Sequence, residues 1–269
     1  MAIAYSMDKL GPMARTADDC AIVLSVLAGH DPRDHDSISS SAIGFAYQDT
    51  EPVQNASFRI GRLTNVYDKL DPDADKAVDE ACRIFEKAGA TVESCEFPDG
   101  PFEEAAELTI LMEAASAFDS LIHSGKCKDL TDPLGRINGY ASEQFSVTDY
   151  LHVQRVRPML QRTADAMFDR YSVLISPAQP TAAQPLRAKD PDDPAGSGTP
   201  QKLHLDRRAP DGVSSLCGLP AISVPCGFSK KRLPYGMQIM GRALNDAVVL
   251  RVARLYQTHT EWHLQHPSL

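Results

Sequence analysis

The chain has 269 residues, a formal net charge of −9, and an ordinary balance of apolar (43%) and charged (23%) residues. That composition is globular rather than disordered. Its acidic balance repels a phosphate backbone, which argues against direct nucleic-acid binding. No apolar run approaches the ~18–20 residues of a membrane-crossing helix, and Asp8 and Lys9 interrupt the opening apolar stretch too early for a signal peptide.

The first predicted element is a helix. Thr16 and Asp19 have capping-box spacing, and Cys20, Val23, Leu24 and Leu27 follow the i, i+3, i+4, i+7 rule, with Gly29 as the stop. A polar loop follows, from Asp31 to about Ser57. The stretch "FRIGRL" alternates Phe58, Ile60 and Arg62 as a strand. Asp71 caps a helix with Pro72 in its first turn and Ala74, Ala77, Val78, Ala81, Phe85 and Ala88 on one face, and "TVESCEF" is a second strand. This strand–helix–strand order predicts a parallel pair. No glycine-rich phosphate loop joins the first strand to the helix, so the unit is not a dinucleotide site.

Two long helical patterns come next, near 102–123 and 147–171, then a short buried strand at Val173–Ser176. The segment from Pro177 to Pro210 turns to Pro, Asp, Gly and Lys and reads as a long loop. "AISVPC" and "GMQIMG" alternate as two strands around a hairpin end carrying Lys230, Lys231 and Arg232. Asn245 is expected to cap a last helix that buries Val249, Leu250, Ala253 and Tyr256. No repeat is visible. The six cysteines form no C-x-x-C pair and are expected to be reduced and mostly buried, as in a cytosolic compartment.

Four stretches then resemble one family, in the family's order. "MDKLGPMARTADDCAIVL" is similar to an Asp-x-x-Gly-Pro-x-x-Arg-Thr segment. "RYSVLISPAQP" is similar to an Asp-x-Leu-x-x-Pro-x-x-Pro strand and loop. "SSLCGLPAISVPCGF" and "LPYGMQIMG", with the closing Trp-His, resemble the C-terminal end of the amidase signature family. The resemblance implies an α/β fold, a mixed β-sheet covered by helices and incomplete at the N-terminus, with residues 1–269 as the C-terminal portion of a single amidase domain.

It also implies hydrolysis of amide carbon–nitrogen bonds by a Ser–cis-Ser–Lys triad. A neutral lysine takes a proton through the bridging serine, the other serine attacks, and backbone N–H groups hold the oxyanion. In the family all three residues precede the Asp-x-x-Gly-Pro segment, which begins here at Met7–Asp8. No catalytic residue is therefore assigned in this chain, and no cofactor and no metal are expected. Gly196-Ser197-Gly198 and Ser39–Ser41 read as loop punctuation.

Several residues remain as candidates. Gln179, after the 173–176 strand, is either a polar group of the substrate pocket or part of a plain strand exit. Ser215 and Cys217 stand at family positions before Gly218-Leu219-Pro220, where they either approach the acyl pocket or pack tightly as small side chains. Asp8 and Arg15 are expected to form an ion pair that ties the opening turn to the core. Ser215 replaces a frequent family Asn, and Arg207-Arg208 stand near where the A subunit of the glutamyl-tRNA(Gln) amidotransferase carries an acidic residue. That favours a general amidase over a glutaminase.

"HDPRDHD" and "HTEWHLQHP" contain metal-ligating residue types. The first reads as a solvated turn. The second is H-x-E-x-H, without the H-E-x-x-H spacing that aims a glutamate at zinc-bound water. Cys226 reads as an inert strand thiol.

The competing functional classes are an amide hydrolase portion, a non-catalytic binding protein, and a metal-dependent hydrolase. The expected partners are a small-molecule amide and either further copies of the chain or the missing N-terminal portion.

Overall fold

The structure, a computed structural model, describes residues 3–34, 37–38, 57–130, 144–183 and 210–266. Most of the 31–57 loop, the 184–209 segment with Arg207 and Arg208, and the Ser197 loop lie outside the described residues.

Five strands form one mixed sheet. They are β1 (Arg59–Leu63), β2 (Thr91–Cys95), β3 (Val173–Pro177), β4 (Ala221–Phe228) and β5 (Pro234–Gly241), in the order β2-β1-β3-β5-β4. β1 runs parallel to both β2 and β3, with Ile60 opposite Val92 and Val173. β5 is antiparallel to β3 and β4, with Ile239 opposite Ile175 and Ile222. The predicted parallel pair and hairpin are both present. The glycine inside "FRIGRL" has a packing reason: a Cβ on Gly61 would stand 2.8 Å from both Cys95 Sγ and Leu174 Cδ2.

One face of the sheet is covered by α2 (Pro72–Lys87) and α7 (Asp246–Thr258). Their apolar stripes, including Val78, Phe85, Val252 and Tyr256, pack on Ile60, Val173, Ile175, Met237 and Ile239. The Asp71 side chain caps α2 by accepting from Asp73 N–H (2.9 Å) and also accepts from Tyr235 O–H (2.7 Å). At the start of α7 the expectation fails. Asn245 precedes the helix, but its side chain makes no capping bond.

The other face is covered by α3 (Phe102–Ala117), α5 (Val147–Asp165) and α6 (Pro210–Cys217), with short α4 (Asp119–His123) after α3. Phe102, Ala106, Leu160, Ala164, Val213 and Leu216 meet Leu63, Leu174 and Met240 there. α5 starts with a full capping box, in which Ser146 Oγ accepts from Asp149 N–H and the Asp149 carboxylate accepts from Ser146 N–H.

α1 (Ala17–Leu27) lies beside α7 and β4. Thr16 Oγ caps it by accepting from Asp19 N–H (3.0 Å). Its buried side is rotated from the predicted one. Ala17, Cys20 and Ala21 are inside with Leu24 packed against them, whereas Val23 and Leu27 face outward. All six cysteines are free; five are buried and Cys95 is half-buried.

Candidate functional site

The chain before α1 lies as a strap, residues 3–10, against α3, α5 and α6. Ala4 and Met7 are its buried anchors. Between them Ser6 is the centre of a polar cluster. Its Oγ donates to Glu113 Oε1 (2.6 Å) and its N–H to Glu113 Oε2 (3.0 Å). Tyr150 O–H donates to the same Oε1 (2.8 Å). Arg157 reaches Ser6 Oγ through Nη1 (2.9 Å), Ser6 O through Nη2 (2.7 Å) and Leu216 O through Nε (2.9 Å). The Glu113 carboxylate is buried yet accepts three hydrogen bonds, which offsets its desolvation. Burial, and then the carboxylate it donates to, push the Tyr150 phenol up.

The strap is fastened a second time by Lys9. Its Nζ donates to Ser214 O and Leu219 O, both at 2.7 Å. These carbonyls flank the turn that ends α6, where a cation is favoured by the helix dipole. Gly218 allows that turn with φ +68°, closed by Gly218 N–H to Ser215 O and Leu219 N–H to Ser214 O. The Lys9 stem is exposed, but its ammonium is tucked against the turn. Desolvation there lowers its pKa from 10.5 to about 8.

The sequence candidates divide between two places. Cys217 ends α6 buried beneath the Lys9 turn, and burial pushes its thiol up to about 11, so it is protonated at neutral pH. Ser215 is half-buried on the same helix. Gln179 is exposed at the exit of β3, between Ala178, whose carbonyl accepts from Tyr67 O–H, and Pro180, whose carbonyl accepts from Asp71 N–H. It makes no hydrogen bond to the strap cluster.

The expected Asp8–Arg15 ion pair is not formed. Asp8 Oδ2 accepts instead from Ile3 N–H (2.7 Å) and Ala4 N–H (3.3 Å), which folds the strap on itself. Backbone donors five and four residues away outcompete a partner across a Gly-Pro break. The tie to the core that this pair was expected to supply comes from Glu113, Arg157 and Lys9.

Sequence reasoning does not single out Glu113 or Arg157. The available signals are an acid inside the apolar run "TILMEAASA" and an arginine on the inward side of α5.

Elsewhere, an open groove of about 580 Å³ is lined by Ile84, Thr258, His259, Thr260, Glu261, Trp262 and Gln265. Among the described residues no three or more His, Cys, Asp or Glu side chains are grouped to hold a metal ion. Asp31 of the acidic turn pairs with Arg33 (2.7 Å). Cys226 is a buried strand thiol pushed up to about 12 by burial.

Comparison with known proteins places this geometry. The family model described as Amidase matches residues 1–250. Curated relatives include the A subunit of the glutamyl-tRNA(Gln) amidotransferase of Marinobacter nauticus, 32% identical over 292 residues and aligned to all of this chain and 58% of the relative. The same protein of Chromohalobacter salexigens is also 32% identical, with the same coverage. The chain thus spans under two thirds of the length of these relatives.

Among solved structures, a bacterial aryl acylamidase of the amidase signature family superposes with TM-score 0.73 at 22% identity, over 94% of this chain and 53% of that one. The glutamyl-tRNA(Gln) amidotransferase A subunit of Thermotoga maritima gives TM-score 0.68 at 23% identity over the same fractions. The mixed sheet with helices on both faces is the fold of these enzymes, and with the family match running from residue 1 to 250 the chain belongs to the amidase family.

Proposed function

We propose that residues 1–269 act as the C-terminal portion of one amidase unit that hydrolyses a small-molecule amide at its carbon–nitrogen bond. In this reading the chain supplies part of the substrate pocket and a fixed seat for the polypeptide that carries the nucleophile. The observation that carries it is the double fastening of the strap, at Ser6 by Glu113 and Arg157 and at Lys9 by the α6 turn.

The reaction breaks the C–N bond and adds water across it. The attacking serine and its lysine come from outside this chain. Here Arg157, Glu113 and Tyr150 hold the strap without touching the reacting atoms. Ser215 and Cys217 on α6, and Gln179 at the β3 exit, are proposed pocket lining. Burial keeps Cys217 neutral, so it offers shape rather than charge. The free thiols fit a reducing, cytoplasmic setting.

The amidotransferase relatives raise glutamine as an amide to test, alongside aryl acylamides. A second reading is compatible with the same contacts, since Lys9 bonds two backbone carbonyls and no serine. On that reading the chain binds amides without turnover.

The test is ammonia release from glutamine and amine release from an aryl acylamide. The assays use the chain alone and the chain co-expressed with the part of the Marinobacter nauticus protein that it does not align with. The hydrolase reading expects no release in the first case and release in the second. A complex that forms and stays inactive on both amides supports the binding reading.

A further inference from the structure

The open groove of about 580 Å³ lies where Ile84 of α2 meets the segment that closes α7 and follows it, with Thr258, His259, Thr260, Glu261, Trp262 and Gln265 as the other lining residues. Glu261 is the one acid among them, and none is Lys or Arg; Lys87 ends α2 but does not line the groove. α7 has no basic side chain in its last turn. The negative end of this 13-residue helix is therefore not offset by its own residues.

The polar groups of the groove are disposed to accept hydrogen bonds. Thr258 Oγ donates to Leu255 O (2.8 Å) and Thr260 Oγ to Tyr256 O (3.0 Å), so each hydroxyl has committed its proton and keeps its lone pairs. His259 Nδ1 stands 2.9 Å from Leu255 O and 3.1 Å from Thr258 Oγ. A carbonyl oxygen only accepts, so Nδ1 carries the proton, and Nε2 of the neutral ring is an acceptor. Glu261 adds a carboxylate and Gln265 an amide oxygen.

The apolar wall is Ile84 with Trp262. The indole is braced by Phe228 of β4, with ring centroids 5.7 Å apart, and packs on the core beneath α2 and α7. Of the aromatic side chains, indole attracts a cation best. Acceptors, a carboxylate, a helix C-terminus and an indole together call for a ligand with positive charge, N–H donors and an apolar body. A metal ion fits poorly. His259 and Glu261 are the only lining residues of metal-ligating type, and among the described residues no three or more His, Cys, Asp or Glu are grouped to hold one. An anion would meet Glu261 and the helix end with the same sign.

We propose that this groove binds a protonated primary amine with a short aryl or alkyl body. The ammonium donates among Glu261, His259 Nε2 and the Thr260 hydroxyl, and the body lies on Trp262 and Ile84. Amines are also what hydrolysis of a substituted amide releases. The site does not rest on the hydrolase reading, because its test reads binding without turnover.

Trp262 is the chain's single tryptophan, so selectively excited indole emission reports on this groove. The experiment titrates the full chain with phenethylammonium at neutral pH and constant ionic strength, with equilibrium dialysis in parallel to count bound ligand. The controls are phenethyl alcohol, which lacks the charge, and trimethyl(phenethyl)ammonium, which lacks the N–H donors. The expected result is a saturable change in emission at one amine per chain, with both controls weaker. Glu261 is exposed, so Glu261→Gln should keep the circular dichroism of the wild type. It should weaken the amine about tenfold or more, the scale of a hydrogen bond to a charged group.

No saturable binding by either method overturns the proposal. So does an alcohol or a trimethylated cation that binds as tightly as the amine, or an affinity indifferent to Glu261→Gln in a folded variant.

Discussion

Arg157 holds Ser6 by two hydrogen bonds, Nη1 to the hydroxyl at 2.9 Å and Nη2 to the carbonyl at 2.7 Å, although 151 positions separate them in sequence. A planar guanidinium grips a side chain and its own backbone together, which fixes both position and orientation. Glu113 completes the grip from the other side. Lysine at position 157 cannot reproduce a fork of this shape.

Glu113→Ala should therefore release the strap. It leaves Ser6 and Tyr150 without their acceptor in a buried setting, a loss of about 1–3 kcal/mol. Urea denaturation should show the lower midpoint, and hydrogen exchange should show faster exchange confined first to residues 3–10. Glu113→Gln keeps an acceptor oxygen and should lose less. Equal exchange in the strap for wild type and Glu113→Ala contradicts the assignment.

Lys9 makes docking depend on pH. Its amine has a pKa of about 8 when docked, against 10.5 when free. Between those values the docked state binds fewer protons than the undocked state, so docking strengthens as pH rises through that window. Below about pH 8 both states are protonated and the dependence from Lys9 disappears. The exposed stem reduces the size of the effect through solvent screening. Strap exchange compared between wild type and Lys9→Met from pH 7 to 10 isolates this contribution from thiols and phenols that titrate nearby. A difference that is flat across the range contradicts it.

Cys82, Cys217 and Cys226 are buried, and burial pushes their thiols up to about 12, 11 and 12. Few thiolates form there at pH 8, so these three should resist iodoacetamide in the native state and react once the chain is unfolded. Half-buried Cys95 should be alkylated before them. Peptide mapping after short exposure gives the order.

Gly218→Ala places a Cβ in the left-handed region, at φ +68°. The expected cost is about 1 kcal/mol. It falls on the turn whose Leu219 carbonyl receives Lys9, so strap exchange should quicken along with the fall in stability. Gly29→Ala is the control, because an added methyl there meets no heavy atom within 4 Å and the backbone has no positive φ.

Periodicity makes much of the scaffold legible. Ala74, Val78, Ala81 and Phe85 repeat at helical spacing, and α2 buries the face its pattern predicts. β5 is a strand as expected, but its alternation does not mark one buried face: Gln238 and Met240 are buried along with Met237 and Ile239, because helices cover both sides of the sheet. α1 shows where the rule fails. With apolar residues on two sides, spacing alone does not choose the inner one. The pattern points Val23 and Leu27 inward, although Ala21 fills that place.

The site is harder to read for a different reason. Ser6, Glu113 and Arg157 meet only after three distant segments pack, and no local pattern couples them. The Asp8–Arg15 pair follows from proximity in sequence alone, and local backbone donors take Asp8 instead.

The central claim is that this chain seats and positions a nucleophile supplied from outside it. A fluorophosphonate probe that acylates activated serines, read by intact mass, tests it most directly. The account predicts no adduct on the 269-residue chain alone, and in the complex with the unaligned relative segment one adduct on that segment. A stoichiometric adduct on the chain by itself, mapped to one of its own serines, would contradict the account and make the chain a self-sufficient serine enzyme.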